Sequence, residues 1–281
     1  MANLLRFAKS GSSWGTNELE AYNISIVEQG QETFFGGPLP AYTGPAGFLQ
    51  HEDRVQGLDA SSLALIKRLD LAMKVMDGEE SAVDDFAAEL LRAMGYETEE
   101  TVIRTRKSIR LIMCGEQVYA KTDVCVLDAD SEILLLVQED KTHINPQDPE
   151  PQLIAEAIAT FQSNNAKRVN DLFLNPLQSM VLPGITLTGT FPRFYKIRVT
   201  ADLDHCVRHG LYPAAQTVVY RHTPRVPRRR SDGMRPLDNR GVILRCYEAF
   251  RQIVLPQQGK DLISLDTSIP VDSCLIADDA D

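Results

Sequence analysis

The chain lacks any long apolar run. The longest is five residues, Ile133–Val137, against the ~20 that a membrane-crossing helix needs. The N-terminal MANLLRFAKSGSSWG has no long apolar stretch either, so no secretory leader is expected. Paired cysteines are also missing. Cys114, Cys125, Cys206, Cys246 and Cys274 form no CxxC pair and are odd in number. Cys114 and Cys125 fall in apolar, strand-like surroundings and read as buried free thiols. An intracellular setting, nuclear or cytoplasmic, is therefore expected, with no membrane partner. GxSxG, GxxxxGK and GxGxxG are absent, so serine-hydrolase and nucleotide-binding readings lack their signatures.

Positive charge is scarce. Lys and Arg number 29 against 39 Asp and Glu, a net charge of −10, which argues against a general polyanion binder. After Lys260 no basic residue occurs, while Asp261, Asp266, Asp272, Asp278, Asp279 and Asp281 follow. Residues 257–281 are expected to be an acidic, flexible tail. The exception is 221–240, RHTPRVPRRRSDGMRPLDNR, with seven arginines and two aspartates, a local charge of about +5. Its Arg228, Arg229 and Arg230 are candidates for phosphate contact or a nuclear-import patch.

What remains is an ordinary globular composition, 43% hydrophobic and 24% charged over 281 residues. That is enough for a core without disulfide or metal staples. Residues 1–58 are Gly- and Pro-rich and read as an irregular N-terminal extension packed on the core, with one strand near Tyr22–Val27. Residues 60–76 and 80–94 have apolar side chains at helical spacing, and Gly95 stops the second helix. The pattern then changes to strands at 109–113, 119–127 and 133–139, with DADSE (128–132) as a hairpin turn. The third run is apolar on both faces and belongs in the middle of a covered sheet. A proline-started helix is expected at about 150–168. Strands at 185–190, 194–200 and 217–221 follow, with helices at 201–209 and 241–254. The expected class is α/β, a mixed central sheet flanked by helices, with 59–256 as the main domain.

The polar ends of the two most buried-looking strands carry the chemistry. Asp123 lies near the start of the buried half of one strand, and Glu139 and Lys141 end its hairpin partner. In an extended chain Glu139 and Lys141 share a side. Clustered carboxylates repel unless a cation lies between them, and hard oxygen ligands suit Mg²⁺ or Mn²⁺. A metal there polarises a phosphoryl oxygen and makes hydroxide available near neutral pH, and a lysine beside it offsets developing charge. Those are the needs of phosphodiester hydrolysis.

These residues resemble the PD-(D/E)XK nuclease superfamily, in which an acid-bearing helix precedes a three-stranded meander with Asp on its second strand and (D/E)xK on its third. Here Asp123 and Glu139-Asp140-Lys141 occur in that order, and Glu139-Asp140-Lys141-Thr142 is closest to the RecB-like branch. That branch continues with Gln-x-x-x-Tyr on the next helix. Gln152 matches, Glu156 stands in place of the tyrosine, and Thr122 in place of the usual preceding proline. The resemblance covers roughly residues 80–200. It implies a restriction-endonuclease-like αβββαβ core and a Mg²⁺- or Mn²⁺-dependent nuclease, DNA being favoured over RNA as the partner. Asp123 and Glu139 would bind the metal and Lys141 would assist the attacking water. Of the helix acids, Glu89 lies beside the apolar face and is the candidate third ligand. Gln152, His143, Arg228, Arg229 and Arg230 would contact substrate. The alternative is a catalytically silent member of the fold serving as a binding or assembly module. Oligomeric state is left open, a homodimer being one option. His205 and His209, spaced i and i+4, lack a third zinc ligand. Trp14, Tyr42 and Phe48 read as anchors to the core.

Overall fold

A computed structural model of the chain describes residues 6–74, 81–139 and 148–255. The elements run as a 3₁₀ turn (Gly11–Ser13), α1 (Thr16–Ala21), β1 (Ile24–Glu28), α2 (Gln31–Phe35), α3 (Ala46–Gln50), α4 (Ala60–Ala72) and α5 (Ser81–Ala93). Then come β2 (Thr101–Met113), β3 (Glu116–Asp128), β4 (Ile133–Glu139), α6 (Pro149–Asn170), β5 (Ser179–Thr188), β6 (Phe191–Thr200), α7 (Ala201–His209), β7 (Thr217–His222) and α8 (Leu237–Val254). The strands form one seven-stranded mixed sheet in the order β1-β7-β6-β5-β4-β3-β2. Pairing is parallel for β1/β7 and β4/β5 and antiparallel elsewhere. The expected α/β class with a mixed, helix-flanked central sheet is what the chain adopts. No helix among the described residues is long and apolar enough to cross a membrane.

Local chemistry sets most boundaries. Asp59 caps α4 by accepting the Ser62 N–H at 2.8 Å. Asp148 caps α6 through the Glu150 N–H at 3.1 Å, with Pro149 in the first helical position. The β3–β4 turn closes where Asp128 Oδ1 accepts the Glu132 N–H at 2.8 Å. Strand β2 begins eight residues before the apolar run at 109, because its first half, TVIRTRKS, is largely exposed and carries little hydrophobic signal.

Two cores lie on the two faces. Val124, Val126, Leu135, Val137, Ile185 and Leu187 pack with α4, α5 and α8. Cys125, Leu127, Leu136, Leu182, Tyr195 and Ile197 pack with α6 and α7. Burial on both faces explains the unbroken apolar character of β4, which sits between β3 and β5. Two side-chain amides pin α6 over the sheet. Asn164 bonds both the N–H and the C=O of Ile133, and Gln162 does the same for Ile112.

The first 58 residues hold a strand and three short helices, and they feed both cores. Trp14, stacked on Tyr22 at 5.7 Å between ring centroids, enters the α6 side. Phe34, Leu39 and Phe48 enter the other. Phe48 is covered by the buried Arg240, whose guanidinium lies 4.5 Å from its ring. The expected tail, 257–281, lies outside the described residues.

Gly11 shows how tightly this N-terminal segment is joined to the sheet. A Cβ there would sit 2.8 Å from the Ala120 Cβ and 3.1 Å from its Cα, on β3, and 3.6 Å from the Ala155 Cβ on α6. Gly11→Val is therefore expected to destabilise by about 1–3 kcal/mol. Gly37→Ala faces open space and should be near neutral. Thermal unfolding of the two variants beside the wild type checks both.

Candidate functional site

Strand β3 changes the face it buries at Asp123. Strict alternation would put Ala120 and Val124 on the same side, yet Ala120 packs with α6 and Val124 with α5. Strand β2 changes in step, since Ile103 and Ile109 also fall in opposite cores. The pairing runs Thr105↔Val124 and Lys107↔Thr122 and skips the Arg106/Asp123 position between them. Arg106 has φ +53° there, an uncommon conformation for a residue with a side chain. Thr122 fills the irregularity by donating its hydroxyl to the carbonyls of Val124 (3.0 Å) and Val137 (3.2 Å).

Asp123 is thereby turned onto the end of β4. Its Oδ2 accepts the Glu139 backbone N–H at 2.9 Å and the Gln138 side-chain amide at 2.7 Å. The two acids singled out in the sequence, Asp123 and Glu139, are thus brought together at adjacent strand ends. Glu139 is only 5% exposed and continues the row of Leu135 and Val137, while Gln138 falls on the other face. Lys141, Asp140 and His143 lie outside the described residues.

Helix α6 supplies the opposite wall. Glu156 is wholly buried, and its Oε1 accepts the Gln152 side-chain amide at 3.1 Å. Burial above all, and then the charge of Asp123, push its carboxyl well above the ordinary range, against the opposing hydrogen bonds of Gln152 and Thr122. Burial and the neighbouring Asp123 thus bias Glu156 towards its protonated form. Its Oε2 and the Gln138 Oε1 are buried oxygens without hydrogen-bond partners, and Gln138 is 3% exposed. A polar stripe continues from there across the sheet. The Thr186 hydroxyl lies 3.1 Å from that of Tyr195, which donates to Glu150 at 2.8 Å. Glu150 also accepts from Arg221 at 2.6 Å, and Arg221 in turn reaches Glu28 at 2.7 Å.

Glu89 is engaged by two arginines. Its carboxylate lies 3.6 Å from Arg68 of α4 and 3.9 Å from Arg92. The acid that α5 buries is Asp84 in its first turn, 9% exposed, on a helix that packs against β2, β3 and β4. A helical wheel favours Glu89 because it carries no information on where α5 comes closest to the sheet. Gln138 is equally hidden in the sequence, as an ordinary polar residue near the end of an apolar strand.

The arginine-rich stretch is largely committed to the fold. Arg228 pairs with Asp238 at 2.8 Å, and Arg235 with Asp53 and Asp70. Arg240 is buried and donates to the carbonyls of Met234, Phe48, His51 and Arg235. Arg229 and Arg230 are exposed, and the Arg230 guanidinium lies 5.9 Å from the Phe191 ring centroid. The His205 and His209 rings are 4.3 Å apart. Among the described residues no group of three or more His, Cys, Asp or Glu stands together as a metal cluster.

Asp123 meets Glu139 at its backbone N–H, and the Glu139 and Gln138 side chains leave β4 on opposite faces. Mg²⁺ takes one or two protein carboxylates and completes its shell with water and phosphate, so the carboxylates of Asp123 and Glu139 fit it in kind. No protein-family model matches the chain, and no curated protein matches it in sequence.

Glu156 yields a pH prediction. A carboxyl whose folded pKa lies above its unfolded value of about 4.3 costs stability as pH rises from that value through the folded pKa. Glu156→Gln should raise Tm at pH 8, and its advantage over wild type should shrink towards pH 4. A pH-independent difference in thermal melts would contradict a raised Glu156 pKa.

Proposed function

We propose that the chain is a metal-dependent nuclease of the PD-(D/E)XK type, acting on DNA in preference to RNA. The observation that carries this reading is the Asp123 carboxylate on the Glu139 N–H at 2.9 Å, at the point where β3 changes face. The element order α5-β2-β3-β4-α6-β5 supports it, since it is the αβββαβ succession that the resemblance implies. Asp123 and Glu139 would hold Mg²⁺ or Mn²⁺. A bound divalent cation would polarise the scissile phosphate and activate the attacking water. Lys141, named by the sequence pattern, would orient that water and offset charge on the phosphate. Asp84, buried in the first turn of α5, stands beside Glu89 as a second candidate for the helix acid. Gln152 and Glu156 would hold the α6 side of the site in place, Gln152 by its amide bond to Glu156.

One observation favours the second reading, a catalytically silent binding or assembly module. The Asp123 Oδ2 already accepts two hydrogen bonds from β4, a role that needs no metal.

The test is cleavage of labelled single- and double-stranded DNA and of RNA with Mg²⁺, Mn²⁺ or EDTA. Wild type is expected to cleave only with metal. Asp123→Asn, Glu139→Gln and Lys141→Ala should each lose on the order of 100-fold or more. Cleavage that survives Asp123→Asn and Glu139→Gln would remove the site. Absence of both cleavage and calorimetric Mg²⁺ or Mn²⁺ binding in the wild type would favour the silent module.

A further inference from the structure

Residues 104–121 of the β2–β3 hairpin carry a charge opposite to that of the chain. Arg104, Arg106, Lys107, Arg110 and Lys121 lie on these two strands, against the single acid Glu116 between residues 104 and 121. All but the half-buried Lys107 are exposed, and none makes an ion pair or side-chain hydrogen bond with the described residues. This contrasts with the arginines of 221–240, where Arg221, Arg228, Arg235 and Arg240 are neutralised or spent on carbonyls.

The register arranges the patch. Arg110 is the cross-strand partner of Tyr119, and Ser108 that of Lys121. Ile109, Leu111 and Ala120 face α6, so Arg110, Tyr119 and Lys121 share the opposite face. That face is covered by α5 only along the inner half of the hairpin, where Ile103, Val124 and Val126 are buried. Tyr119 is 49% exposed, its hydroxyl held by the Gln117 amide at 2.8 Å. Lys121 lies two residues before Asp123 on the same strand. Cations on β2 would by themselves guard an edge strand against pairing with another chain. Among the described residues β4 joins β3 only from Val124 to Leu127, so along Tyr119 and Lys121 β3 is itself an edge. Edge protection accounts for Lys121 but not for the exposed ring of Tyr119.

We infer that this hairpin face binds the phosphate backbone of a single-stranded nucleic acid, with Tyr119 stacking on a base. An aromatic ring set among cations is the arrangement that holds single strands without sequence preference. Delivery of the strand to Asp123 rests on the nuclease reading, but the binding does not.

The test is fluorescence anisotropy with a labelled oligodeoxythymidine in EDTA, where metal-dependent cleavage cannot contribute. The wild type should bind with an affinity that falls as salt rises. Arg110→Ser/Lys121→Ser should weaken binding about tenfold or more and flatten the salt dependence, by about 0.7 in log–log slope for each phosphate that is no longer neutralised. Tyr119→Ala should weaken it by roughly 5- to 150-fold, and Arg229→Ser/Arg230→Ser should have little effect. Circular dichroism checks that each variant is folded. Equal affinity of wild type and hairpin variants, or a loss confined to the 229/230 variant, would overturn the inference. So would retention on anionic vesicles with no oligonucleotide binding. Hairpin-dependent binding by a protein that cleaves nothing would uphold the inference while removing the nuclease reading.

Discussion

The arrangement at β3 depends on one irregularity, the reversal of buried faces at Arg106 and Asp123. A two-residue period would commit each strand to a single face along its length. The reversal lets the inner half of the hairpin fill the core under α4, α5 and α8 while the outer half leans on α6 and α7. It also turns the carboxylate at the reversal point from the ladder onto the neighbouring strand end, where the Glu139 N–H and the Gln138 amide meet it. Thr122 ties the two strands together at the reversal by placing its hydroxyl on the carbonyls of Val124 and Val137.

Helix α6 is the second determinant, because it covers the reversal and can approach closely. Ala155, Ala157 and Ala159 lie on it, and Gly184 of β5 lies under Leu153, where an added Cβ would be 3.0 Å from the leucine Cδ2. So close a helix excludes water from Glu156, which is why the pKa of that carboxyl is raised beside Asp123. Asn164 and Gln162 fix the height of α6 by serving as hydrogen-bond partners for two strand residues.

Charge is distributed by topology rather than by composition. The net of −10 conceals a hairpin with five cations, and the most arginine-rich stretch proves mainly structural. Arg240 illustrates the difference: burial lowers its pKa to about 10, yet it satisfies the carbonyls of four residues under the loop that follows α3. In sequence it is one arginine among seven.

The sequence by itself determined the element order from residue 60 onward, the covered place of β4 within the sheet and the pairing of Asp123 with the end of the next strand. Apolar periodicity and turn residues are local signals, and they lie within a few residues of what they specify. Tertiary structure alone decided which acid of α5 is buried, that the Glu156 pKa is raised, and which arginines remain available. Those outcomes depend on how far one layer sits from another and on which groups lose water there. Asp84 and Glu89 lie about 140° apart on a helical wheel, and of the two only Asp84 is buried. Arg110 and Arg228 are the same residue type, and only the second meets a carboxylate.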